Sequence, residues 1–115
     1  MSRNYGLIAV ALLAVGCGLG AITEDTLPAR VAGPYCDNLR RCNRGYFDSE
    51  FSDMADCVDE TEEDFEDLVE EADDYGCDFD EDEARECVQS LRSSSCEDWY
   101  EGDTLDDCSD VFDDC

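Results

Sequence analysis

The chain contains no histidine and no lysine. Without imidazole it lacks the usual general base, the serine and cysteine triads built on one, and every zinc site that uses a ring nitrogen. Without a lysine amine, Schiff-base and pyridoxal chemistry are excluded. Positive charge is confined to seven arginines against 33 acidic residues, for a formal net charge of −26. That balance excludes an electrostatic nucleic-acid binder, which needs a basic face to neutralise phosphates, and a polybasic grip on anionic lipid. Length is short as well, since 115 residues make one small domain at most. A glycine-rich phosphate loop, a nucleophile elbow and the two-residue cysteine spacing of redox motifs and zinc ribbons are all missing. Nothing in this inventory supports an enzyme.

The one long apolar run lies at the start. Met1-Ser2-Arg3-Asn4-Tyr5 carries a single positive charge and is followed by small and apolar residues from Gly6 to Gly16. This run fits the core of an export signal and is too short for the roughly 20 residues that span a bilayer. It ends in Leu13-Ala14-Val15-Gly16-Cys17, which resembles the lipobox of bacterial lipoproteins. The resemblance implies that residues 1–16 are removed and that Cys17 becomes a lipidated N-terminus. Two or three acyl chains exceed the threshold for stable membrane anchoring. Ordinary cleavage after Ala14-Val15-Gly16 would instead release a soluble secreted protein. Parity favours the lipid, because setting Cys17 aside leaves an even eight cysteines for pairing.

From Cys17 onward 33 acids face six arginines, and only 17 residues are Leu, Ile, Val or Phe. Low apolar content with high net charge is a signature of disorder. The cysteines oppose it. Cys36, Cys42, Cys57, Cys77, Cys87, Cys96, Cys108 and Cys115 fall within 80 residues, the density of a disulfide scaffold. Each bridge contributes roughly 2–4 kcal/mol in the loop-entropy account, enough together for the marginal stability of a small domain.

The expected fold is therefore all-α, small and disulfide-rich. Residues 17–33 read as a lipidated tether, with glycines, one proline and no periodicity, and residues 34–115 as the folded domain. Three helices are predicted, at about 34–44, 49–75 and 80–92, followed by a cysteine-pinned C-terminal segment. Pro34 suits a first helical turn, and Gly45 a stop. In the second helix Phe51, Met54, Val58, Thr61, Phe65, Leu68 and Ala72 recur at alternating steps of three and four, opposite a face of acids. Its aromatic and methionine positions read as core rather than as a ligand box. Asp80 with Glu83 resembles a capping box at the start of the third.

A hairpin of the first two helices, centred between Tyr46 and Phe47, puts Cys36 and Cys57 at equal distances from the turn, so this pair is expected to bond. The return of the third helix brings Cys96 towards Cys42, and Cys77, Cys87, Cys108 and Cys115 then pair among themselves. Sequence alone does not choose among the 105 connectivities of eight cysteines.

Asp78, Asp80 and Asp82 alternate as the first ligands of a calcium loop do. Glu83 stands where such a loop needs glycine, and Gln89 where it needs a bidentate glutamate. A helix cap with an acidic first turn explains the same residues. No cofactor is expected beyond weak calcium binding.

Over its whole length the chain resembles the acidic, cysteine-rich lipoproteins of myxobacterial type. That resemblance implies no activity, substrate or catalytic residue. The resulting expectation is a non-enzymatic structural or protein-interaction module. It would be exported, held to the outer membrane or cell surface through its lipid, and would meet a protein partner but no nucleic acid. A low-affinity divalent-cation binder is the alternative. The acid-rich, lysine-free surface also resembles those of salt-adapted proteins, so added NaCl should stabilise the fold, or the acids serve as a solvated coat.

Overall fold

A computed structural model describes residues 21–115. The export signal, the lipobox and Cys17 lie outside the described residues. Six helices and one short β-pair follow in order: α1 (Leu27–Cys42), α2 (Arg44–Glu50), α3 (Met54–Asp74), β1 (Asp78–Phe79), α4 (Glu81–Ser93), α5 (Cys96–Glu101), α6 (Asp103–Asp106) and β2 (Phe112–Asp113).

α1 corrects two expectations. It begins seven residues before Pro34, which sits inside it, and it ends at Cys42 rather than 44. Residues 21–33 are accordingly no tether: Ile22, Leu27, Val31 and Ala32 are buried in the core. Thr23 and Thr26 open the helix by accepting from each other's backbone N–H at 3.2 and 2.9 Å. Pro28 stands in the first turn, where its missing N–H removes no intrahelical bond. An internal proline costs about 3 kcal/mol. Burial of Leu27 and Val31, at roughly 1.5–3 kcal/mol per side chain, offsets it.

The second predicted helix starts later than 49, and a separate short helix, α2, precedes it. Asn43 interrupts the chain between α1 and α2, so Gly45 lies in the first turn of α2 rather than past a helix end. Phe51 and Asp53 are extended, and α3 starts only at Met54. The reason is a local cap: Asp53 accepts from the Asp56 N–H at 2.8 Å, while the Asp56 carboxylate accepts from the Ser52 N–H at 2.9 Å. At the far end Gly76 takes a left-handed conformation, φ 76°. Cys77 N–H reaches Ala72 O at 2.9 Å and Gly76 N–H reaches Asp73 O at 3.0 Å, a Schellman closure that only glycine adopts without strain. α4 opens on Asp80, whose side chain accepts from the Glu83 N–H at 3.1 Å. Ser95 caps α5 in the same manner, and Gly102, φ 85°, turns the chain into α6.

Four disulfides join these elements: Cys36–Cys57, Cys42–Cys96, Cys77–Cys115 and Cys87–Cys108. The first ties α1 to α3, the second α1 to α5. The third closes the β-pair, in which Asp78 faces Asp113 and Phe79 faces Phe112 in antiparallel register.

Two clusters make the core. The larger gathers Ile22, Leu27 and Val31 against Ala84, Cys87, Val88 and Leu91 of α4 and Val111. The smaller joins Cys36 and Leu39 to Phe47 and Cys57. Tyr35 and Trp99 touch both, with ring centroids 5.5 Å apart in an edge-to-face contact. Between the clusters the fully buried Asn38 donates to Leu91 O at 2.8 Å and accepts from Arg41, which also reaches Ser94 O at 3.2 Å. This clip satisfies carbonyls that the end of α4 leaves open.

Candidate functional site

All eight cysteines of the described residues are bridged, so they form a scaffold and present no thiol or metal-binding sulfur. The alternating carboxylates do not converge as a calcium loop would. Asp80 caps α4, and Asp82 pairs with Arg85 at 3.0 Å on the same helix. Asp78 alone turns elsewhere, into β1.

The structure assembles two other carboxylate groups. Asp78, Asp113 and Asp114 each place an oxygen within 4.8 Å of the others, and so do Asp98, Glu101 and Asp103 at the α5–α6 joint. All six are exposed. The first group forms because β1 pairs with β2 beside the Cys77–Cys115 bridge. A signal for it existed: Asp78 follows Cys77, and Asp113 and Asp114 precede Cys115, so that bridge alone gathers them. The carboxyl of Asp113 is held above its ordinary range by lost solvation and then by the charges of Asp114, Asp80, Asp78 and Asp110. Glu83 is raised likewise, by lost solvation first and then by Glu86, Asp110, Asp80 and Asp107.

A different kind of site lies between α1, α2 and α3. A cavity of about 350 Å³ is lined by Tyr35, Tyr46, Phe51, Thr61, Asp64 and Phe65. Leu39 and Leu105 complete its wall. Sequence reasoning assigned several of these aromatics to the core, which is half of their role. Tyr35, Phe51 and Phe65 are half-buried, one side against the clusters and another on the cavity, while Tyr46 is 49% exposed. Two near-perpendicular ring pairs meet here, Tyr35–Phe65 at 6.3 Å and 74°, and Tyr46–Phe51 at 6.5 Å and 78°. Thr61 is buried, its Oγ1 3.4 Å from Cys36 Sγ and 3.8 Å from Cys57 Sγ. The Tyr35 phenol is pushed up by burial first, then by Tyr46 and Asp64.

Elsewhere the surface is anionic. Twelve of the 21 residues of α3 are acidic and none is basic. Among the described residues no helix is long and apolar enough to cross a membrane. Compared with known proteins, the chain matches no protein-family profile, no curated protein and no solved structure.

Proposed function

We propose that this chain is an exported, lipid-anchored, non-enzymatic module that displays a cross-linked anionic domain on the bacterial envelope and acts through contact with a protein partner. One observation carries the reading: eight of the nine cysteines are consumed in four bridges. Bridges at this density belong to an oxidising, exported setting. They account for all eight cysteines of the described residues, and the ninth, Cys17, stands in the sequence at the junction where a lipobox would place an acylated residue.

Intact-mass spectrometry of protein extracted from membranes tests this. The expected species begins at Cys17, carries acyl chains and contains eight oxidised thiols. Cys17→Ala should move the protein from the membrane to the soluble fraction. An N-terminus other than an acylated Cys17 overturns the anchor. A helical spectrum and melting curve that survive complete reduction overturn the role of the bridges.

Low-affinity divalent-cation binding is a second reading, favoured by the convergence of Asp78, Asp113 and Asp114. Calorimetric titration with CaCl₂ in 0.15 M NaCl should then give a saturable, stoichiometric transition that Asp113→Asn weakens. A response equal to that of added NaCl removes it.

A further inference from the structure

We propose that the cavity between α1, α2 and α3 binds a small quaternary-ammonium cation free in solution, held by Tyr35, Tyr46, Phe51 and Phe65 with Asp64 as counter-ion. The inference is independent of the envelope anchor.

Four aromatic rings, those of Tyr35, Tyr46, Phe51 and Phe65, wall a space of about 350 Å³, within the roughly 300–1,000 Å³ of small-molecule sites. Aromatic faces carry negative quadrupole density and attract a cation lying within about 6 Å of the ring centroid. Asp64 is the one formal charge on the wall, and it is negative. Around it α3 continues the same sign. The carboxyl of Glu60 is raised by lost solvation and then by Asp56, Asp64, Glu50 and Glu63, carboxylates that all act in the same sense. A net charge of −26 further concentrates small cations at the surface.

The lining also says which cation. An anion finds no basic side chain there, and Thr61 already lies against the Cys36–Cys57 sulfurs. A metal ion needs several oxygen ligands, and the wall offers one carboxylate among rings and leucines. A primary ammonium or a guanidinium brings three to five N–H donors, each costly to bury unpaired. A fully alkylated ammonium has no N–H to satisfy, sheds its water readily and presents methyl groups to the rings. Charge and lining thus both select the quaternary ion.

Trp99 is the chain's single tryptophan and packs edge-to-face on Tyr35, so its fluorescence reports on the cavity wall. Choline chloride is titrated into the oxidised protein, with NaCl holding ionic strength constant. A saturable one-site change is expected. Tyr46→Ala and Asp64→Asn alter exposed positions and should each weaken binding at least about threefold, as loss of a cation–π or charge contact does. Their circular-dichroism spectra verify folding. The neutral isostere 3,3-dimethylbutan-1-ol should bind no better than a tenth as well. Equal binding of that alcohol makes the cavity merely apolar and overturns the proposal. A change that sodium reproduces, or that never saturates, overturns it too. A Tyr46→Ala protein that folds and binds choline undiminished does the same.

Discussion

α3 and α4 each have an aspartate cap and one bridge, but they differ in core and in charge balance. α4 is consistent with itself: acids Glu81, Asp82 and Glu83 fill its first turn, Arg92 its last, and Arg85 pairs back to Glu81 and Asp82 at 3.3 and 3.0 Å. Each of these agrees with the helix dipole. It buries Ala84, Cys87, Val88 and Leu91 within 13 residues. α3 has 21 residues and buries only Cys57 and Thr61. Its last turn contains acids where the dipole favours bases, and neighbouring turns repel. What retains it is a good cap, a Schellman end, one bridge near its start, and the half-buried Met54, Val58, Phe65 and Val69. The lesson is that a helix poor in both core and charge balance persists when its ends and one covalent point are fixed. The two helices should then fail under different challenges.

Core truncation separates them most. Leu91→Ala removes a side chain 2% exposed, and a loss of about 2–5 kcal/mol is expected from the transition midpoint in urea. Leu68→Ala on α3, 47% exposed, should change stability by less than about 0.5 kcal/mol. Similar losses at both positions would erase the distinction.

Acidity acts next. Glu24, Glu60, Glu83 and Asp113 all have carboxyls raised in the folded state, chiefly through lost solvation and then through neighbouring acids. Between the ordinary carboxylate value and the raised one the folded chain binds more protons than the unfolded chain. Stability therefore falls as pH rises through that window and is recovered on acidification. The melting temperature should climb as pH is lowered from 7 towards the carboxylate range, and added NaCl at pH 7 should raise it in the same sense. A melting temperature that drops on mild acidification contradicts the repulsion account.

Charge reversal gives the smallest and most local effect. Asp73 lies in the last turn of α3, and its charge reaches Glu24. Asp73→Arg should stabilise by about 0.3–1 kcal/mol, whereas Arg92→Glu at the end of α4 should destabilise by a similar amount. Opposite signs at equivalent helical positions, read by thermal melts, are the outcome that sharpens the comparison.

Much of α4 was legible because several local signals agree there: the Asp80 cap, the acidic first turn and the Ala84–Val88–Leu91 stripe. The stripe of α3 was legible at every position but one. Thr61 is buried and Met54, Val58, Phe65 and Ala72 half-buried where expected, but Leu68 faces solvent and Val69 packs in its place. A strict three–four pattern drifts around a long helix, which turns position 68 outward and position 69 inward. The stretch of α1 from Pro34 onward was legible, but its first turns, residues 27–33, were hidden by Pro34, whose local penalty is overridden by contacts with α4 that lie more than 50 residues away in sequence. The two-residue β-pair has no sequence period to read. The aromatic cavity was hidden for a related reason: its rings obey core spacing, and only the third dimension shows that they stop short of filling the space between three helices.

The arrangement of the four bridges has a consequence for wear. Cys36–Cys57, Cys42–Cys96 and Cys77–Cys115 overlap end to end, so every peptide bond from Cys36 to Cys115 is spanned by at least one of them. A protease that nicks any single loop in this stretch severs the backbone but releases no fragment, and the clipped chain remains one molecule.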